Sequence, residues 1–173
     1  VPGSSHSVSF FDFDNTLYKG EQRYVILDFP VFLHSQALFD AESLAELESF
    51  KQRYLSGKID RSGFALGVLE AYYKGLEGKS ENDVLLAAEN FWRLGAEEKW
   101  FSYSLQLVQL MNKHTVTVLI SGSPHEVLNS VCKKLGFVHL YATSGSISNG
   151  IYTGSYEPKD ETGTYTGKAA LMD

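Results

Sequence analysis

The sequence predicts an α/β fold: a parallel sheet flanked by helices, with an all-helical cap inserted after the first strand. Three observations predict it. β-Branched or aromatic runs occur at 8–12, 116–120 and 138–141, each bounded by turn or helix signals. Between the last two lies a helical segment from about Pro124 to Leu135, closed by Gly136 where a helix-stopping glycine belongs. Strand, helix, strand in that order is a parallel pair with a right-handed crossover. From 13 to 115, by contrast, the chain carries almost no β signal.

Residues 1–7 read as an expression-tag remnant and stand outside the fold. The first run, Ser9-Phe10-Phe11-Asp12-Phe13-Asp14-Asn15-Thr16, is an apolar strand that ends in two carboxylates and turn-forming residues. Leu27–Phe39, Leu44–Leu55, Phe64–Tyr73 and Val84–Leu94 then place apolar residues at helical spacing, with Gly- and Ser-containing breaks between them. Residues 21–100 are therefore expected to form the cap, and 8–20 with 101–173 the α/β core. A helix near 103–112 leads back to the sheet. An insertion at this point sits above the strand C-termini, where ligands bind in such folds, and can act as a lid.

Past the third run, residues 146–156 alternate and contain Asn149-Gly150, a hairpin signal. A polar loop over 157–166 precedes Gly167-Lys168-Ala169-Ala170-Leu171, a helix beginning.

The 173 residues suffice for one well-buried domain. Net charge is −6 with acids and bases interspersed, so no basic stripe is available and a nucleic-acid partner is not expected. No apolar run reaches membrane-spanning length and no signal peptide is evident, so a cytoplasmic protein without a membrane partner is the expectation. The single Cys132 excludes an intramolecular disulfide or multi-cysteine zinc site and reads as a buried structural thiol. Oligomeric state has no sequence signature.

Three elements carry chemistry. Asp12 and Asp14 at a strand end are costly to bury unless a cation or donors pair with them. A capping turn is the bland reading. A calcium loop of the EF-hand type lacks its glycine and terminal glutamate, since Leu17 and Arg23 stand there. The sharper reading makes Asp12 a nucleophile and Mg2+ ligand and Asp14 the acid/base, with its carbonyl on the metal. Ser121-Gly122-Ser123-Pro124-His125-Glu126 follows the second strand. Ser123, Pro124 and Glu126 fit a capping box, and Ser121 with the Gly122 amide would form an anion site at the helix start. Lys168 is either a solvated surface cation or the group that offsets the charge of Asp12 and a phosphate.

In this order the pieces resemble the haloacid dehalogenase (HAD) superfamily, in its phosphoserine-phosphatase-like branch, subfamily IB. Asp12-Phe13-Asp14-Asn15-Thr16 is similar to motif one, Ile120-Ser121-Gly122 to motif two, and Lys168 after the hairpin to motif three. The segments 54–60 and 149–154 are similar to that branch too. The resemblance implies a Rossmann-like, HAD-like core and a Mg2+-dependent phosphatase acting on a small phosphorylated metabolite. Asp12 would form an aspartyl-phosphate and Asp14 would move the proton. Thr16 would position the loop, and Ser121 and Gly122 would hold phosphate oxygens. Glu21 would help bind a substrate amino group.

Two departures accompany it. The fourth motif, which adds acidic ligands on a later strand, is not reached by Asp173, so impaired metal binding and an exposed edge on the first strand are expected. The cap arginine of phosphoserine phosphatases has no counterpart in Ala65-Leu66-Gly67-Val68, although Arg61 is close, so phosphoserine is not favoured. A phosphotransferase to a non-water acceptor and a non-catalytic phospholigand-binding protein are the alternatives. His34, His125 and His139 read as core, lid or surface residues. Trp92, Trp100, Phe101 and Tyr103 read as packing where the cap rejoins the core.

Overall fold

The computed structural model describes residues 7–157. Strand β1 (Val8–Phe11) is followed by four helices, α1 (Val25–Ser35), α2 (Ala41–Leu55), α3 (Arg61–Gly75) and α4 (Glu81–Arg93). A short 3-10 turn (Ala96–Lys99) and α5 (Ser104–Asn112) return the chain to β2 (Val116–Pro124). Then come α6 (His125–Leu135), β3 (His139–Ser148) and β4 (Ile151–Glu157).

The sheet order is β1-β2-β3-β4, with β1, β2 and β3 parallel and β4 antiparallel to β3. The crossover expected from the sequence is α6. It ends at Gly136 in the left-handed conformation (φ 76°), which lets the Gly136 and Phe137 amides reach the Cys132 carbonyl. Cys132 is buried, as expected, with its thiol donating to the Phe137 carbonyl at 3.6 Å. Asn149 (φ 52°) and Gly150 (φ 77°) both take positive φ, the pair of a two-residue hairpin turn. Among the described residues β1 is an edge strand, and Val8 and Phe10 are exposed on it. No helix among those residues is long and apolar enough to cross a membrane.

Helices α2 and α3 start on matched caps. Asp40 accepts from the Ser43 amide at 2.7 Å and Asp60 from the Gly63 amide at 2.8 Å. Their inner faces meet through stacked Tyr54 and Phe64, with ring centroids 4.8 Å apart. The helical layer is joined to the sheet layer in two ways. The β3–β4 hairpin extends sideways onto the α3–α4 connection, where the Gly78 amide donates to the Tyr152 carbonyl and the Tyr152 amide to the Lys79 carbonyl, both at 2.9 Å. The aromatic group expected at the junction also forms. Trp92 sets its edge to Phe13 (5.9 Å) and Tyr18 (5.5 Å), and Trp100 does the same to Phe13 (6.1 Å).

Trp92 also donates its indole N–H to the Val127 carbonyl of α6 at 2.8 Å, so one side chain links α4, α6 and the turn after β1. Trp92→Ala should therefore lower stability by about 3–5 kcal/mol, a value typical of large core truncations. Urea unfolding measures it, and a loss below about 1 kcal/mol would contradict this role.

Candidate active site

Asp12 follows β1 directly, in register just beyond the Phe11–Leu119 pair. One of its oxygens accepts from the Phe13 amide at 2.8 Å, and its side chain is exposed. The chain then folds into a tight turn. Asn15 takes φ 60°, a conformation that asparagine tolerates better than most residues. The amides of Leu17 (2.8 Å) and Tyr18 (3.1 Å) converge on the Phe13 carbonyl. From below, the start of α5 braces this turn: Tyr103 Oη donates to the Thr16 carbonyl and Ser104 Oγ to the Leu17 carbonyl, each at 2.7 Å.

Asp14 is half-buried and held at both oxygens. Oδ1 accepts from the Val25 amide at 2.7 Å, the first residue of α1. Tyr24, at the N-cap position, offers that helix no side-chain acceptor, so Asp14 caps it from another segment. Oδ2 accepts from Ser123 Oγ at 2.5 Å. That bond corrects the capping-box expectation. Helix α6 begins at His125 with no side-chain cap, because the Ser123 hydroxyl is directed to Asp14 and Glu126 turns inward.

Ser121, Gly122 and Ser123 are lifted out of the β2–β3 ladder. Register runs from Ile120–Tyr141 to Pro124–Thr143, so these three residues face only Ala142. Ser121 Oγ accepts from the Ser123 amide at 3.1 Å, and Thr143 Oγ1 donates to the Gly122 carbonyl at 3.0 Å. The loop is thus pinned from inside and from the neighbouring strand.

Asp12, Asp14, Thr16, Ser121 and Gly122, all singled out from the sequence, line one cavity of about 290 Å3 together with Asn15 and Ser123. Its other wall comes from the helical layer: Tyr24, Ile26, Arg61, Ala65, Val68 and Leu69. Arg61 is the cationic member of the lining among the described residues. Tyr24, Ile26 and Leu69 carry no local chemical motif, which is why sequence reading passes over them, and Ala65 and Val68 enter it only as positions that lack an arginine.

Glu21 is set apart. Its side chain is 73% exposed, pairs with Lys99 at 2.9 Å, and belongs to a different surface depression with Gln22 and Asp28. The buried Asp28 carboxylate anchors the Glu21 (3.0 Å) and Gln22 (3.1 Å) amides there, and Glu21 is not among the residues lining the cavity of Asp12 and Asp14. Lys168 lies outside the described residues. Among the described residues, no cluster of three or more Asp, Glu, His or Cys side chains forms a metal site.

Glu126 occupies a place that no local pattern announces. It is 4% exposed and accepts from Tyr152 Oη at 3.0 Å, while Tyr73 Oη lies 3.5 Å away. Tyr73 has one hydroxyl proton and gives it to the Thr143 carbonyl at 2.8 Å. The longer contact with Tyr73 is therefore best filled when Glu126 itself carries a proton. Burial pushes the Glu126 carboxyl up to about 7 from an ordinary 4.5.

With a raised folded value, the folded state binds more protons than the unfolded chain between about pH 4.5 and 7. The stability contributed by this group is full below that window and is lost as pH rises through it. Glu126→Gln keeps an acceptor for Tyr152 and removes the ionisation. Urea unfolding at about pH 5.5 and 8 should show the parent losing stability relative to Glu126→Gln at the higher pH. Parallel changes in the two proteins would contradict the assignment.

Residues 9–171 match the family model described as haloacid dehalogenase-like hydrolase. A search of curated proteins finds no match. Among solved structures, a protein of unknown function from Bordetella pertussis Tohama I aligns at TM-score 0.70 and 20% identity, covering 96% of this chain and 72% of that one. A phosphoserine phosphatase described as a phospho-aspartyl intermediate analogue aligns at TM-score 0.61 and 18% identity, over 96% and 69%. A substrate-bound phosphoserine phosphatase aligns at TM-score 0.62 and 18% identity, over 98% and 70%. At these identities the likeness is one of fold.

Proposed function

The chain belongs to the haloacid dehalogenase-like hydrolase family, and from that membership we propose that it hydrolyses a small phosphate monoester through an aspartyl-phosphate on Asp12. The observation that carries this reading is the meeting of Asp12 and Asp14, at the end of β1, with Ser121 and Gly122, at the end of β2, in one small cavity. Phosphoryl transfer asks chiefly for positioning and charge neutralisation.

An Asp12 carboxylate oxygen attacks phosphorus, and the bond to the ester oxygen breaks. Asp14 gives the departing alkoxide its proton. Water then attacks the same phosphorus while Asp14 takes back a proton, and the bond to Asp12 breaks to release phosphate. Hydrogen bonds from the Val25 amide and Ser123 Oγ hold the Asp14 carboxyl in orientation through both steps. Ser121 Oγ and the Gly122 amide would contact phosphate oxygens, Thr16 would keep the turn in place, and Arg61 adds positive charge to the cavity.

The Asp12 carboxylate and the Asp14 backbone carbonyl are hard oxygen donors that suit Mg2+, an ion that usually keeps several waters and shares one or two carboxylates with substrate phosphate. Both Asp14 carboxylate oxygens already accept protein hydrogen bonds, which favours its carbonyl for that role. Bound there, the ion would neutralise charge on the transferring group. Lys168 is proposed to offset the charge of Asp12 and the phosphate.

In the full-length protein, Asp12→Asn should reduce Mg2+-dependent release of phosphate from an aryl phosphate to background, and Lys168→Ala should weaken it severely. Ordinary activity in Asp12→Asn would overturn the mechanism.

A further inference from the structure

We infer that Thr143 is a positioning residue for the loop that receives the phosphate, and that Tyr73 of α3 holds Thr143 in place. The inference rests on the phosphatase reading above and adds two residues to it. Ser121, Gly122 and Ser123 stand outside the β2–β3 register, which resumes only at the Pro124–Thr143 pair. Side chains grip this loop instead. The Gly122–Ser123 peptide is held at both ends: its carbonyl accepts from Thr143 Oγ1 at 3.0 Å, and its N–H donates to Ser121 Oγ at 3.1 Å. Those two bonds orient the peptide next to the Gly122 amide and fix where the Ser121 hydroxyl sits. As the acceptor in its bond, Ser121 Oγ still carries a proton to give to a phosphate oxygen.

Thr143 is itself held from the helical layer. It is buried, and its carbonyl accepts from Tyr73 Oη at 2.8 Å. Tyr73 follows Leu69 by four residues, so it continues the face of α3 that walls the cavity. Packing seats its ring: a Cβ at Gly145 would meet two of its carbons at 2.7 Å, and the Tyr72 ring stands edge-on at 5.0 Å. One chain of contacts thus runs from α3 through Tyr73 and Thr143 to the Gly122 carbonyl, joining the cavity's wall to its floor. Both side chains are buried, so water is poorly placed to replace a missing hydroxyl. A displacement of about 1 Å in a positioning group can cost roughly 100-fold in rate.

Thr143→Val keeps the shape of the side chain and removes the hydroxyl, whereas Thr143→Ser retains it. In the full-length protein with Mg2+ and an aryl phosphate, well below each variant's unfolding temperature, Thr143→Val should lower kcat at least about tenfold. Affinity for inorganic phosphate, measured by calorimetry, should fall with it, and Thr143→Ser should regain most of both. Tyr73→Phe should lower kcat in the parent but add nothing to Thr143→Val, because Tyr73 acts through the Thr143 hydroxyl. An unchanged kcat in folded Thr143→Val overturns the inference, since a merely stabilising residue leaves folded molecules fully active. Additive losses overturn the part of Tyr73. Should Thr143→Val not fold, Tyr73→Phe alone decides, and an unchanged kcat there overturns the inference. If the parent hydrolyses no ester, the phosphatase reading fails by itself and phosphate affinity decides this one: a parent that binds no phosphate, or binds it no better than Thr143→Val, overturns it.

Discussion

The Asp14 carboxylate joins three segments distant in sequence: the turn after β1, the first amide of α1, and the loop that leaves β2. Each hydrogen bond of such a junction contributes roughly 0.5–1.5 kcal/mol net, so Asp14 helps to set how the helical layer sits over the sheet. Helix α1 has no side-chain cap of its own, and Asp14 meets the partial positive charge at its start. Asp12, two residues earlier, is held at the cavity by the same turn. Asp14 therefore adds a direct link between helical wall and polar floor to those made by the β3–β4 hairpin and Trp92, and the proposed chemistry would use that side chain to move a proton.

Behind the junction stands a rigid aromatic backing. Phe13 stacks on Tyr18 at 5.4 Å, and Trp92 and Trp100 close edges around them. Phe13 alternates with Asp12 and Asp14 along the chain, so burying its ring turns both carboxylates outward to the cavity. On the far side, Glu126, Tyr73 and Tyr152 tie α6, α3 and β4 together, and Thr143 extends that network to the Gly122 carbonyl. The floor of the cavity is thereby braced from two directions.

Much of this was legible in the residues. The strands, the four helices between β1 and α5, the crossover stopped by Gly136 and the Asn149-Gly150 turn all rest on local patterns, and all formed close to their expected positions. The Asp12–Asp14 pair and the Ser121-Gly122 turn were equally readable, because strand ends followed by turn residues place side chains predictably. What escaped depends on contacts between distant segments. Ser123 and Glu126 have the spacing of a capping box, yet tertiary partners draw one to Asp14 and the other to two tyrosines. Glu21 was read as a substrate ligand from the resemblance alone, and the bond from its amide to Asp28 is a contact that the local sequence does not announce. Val68 and Leu69 look like any helix interior until the fold brings them over the carboxylates.

The chemistry comes down to whether one Asp12 oxygen becomes bonded to phosphorus. Full-length protein mixed with a phosphate ester and Mg2+, quenched in acid, treated with borohydride and digested, would carry the mark of an acyl phosphate as a reduced residue visible by mass spectrometry. Reduction at Asp12 alone, dependent on the ester, is the expected result. Reduction at another carboxylate, or none while phosphate is still released, would contradict it.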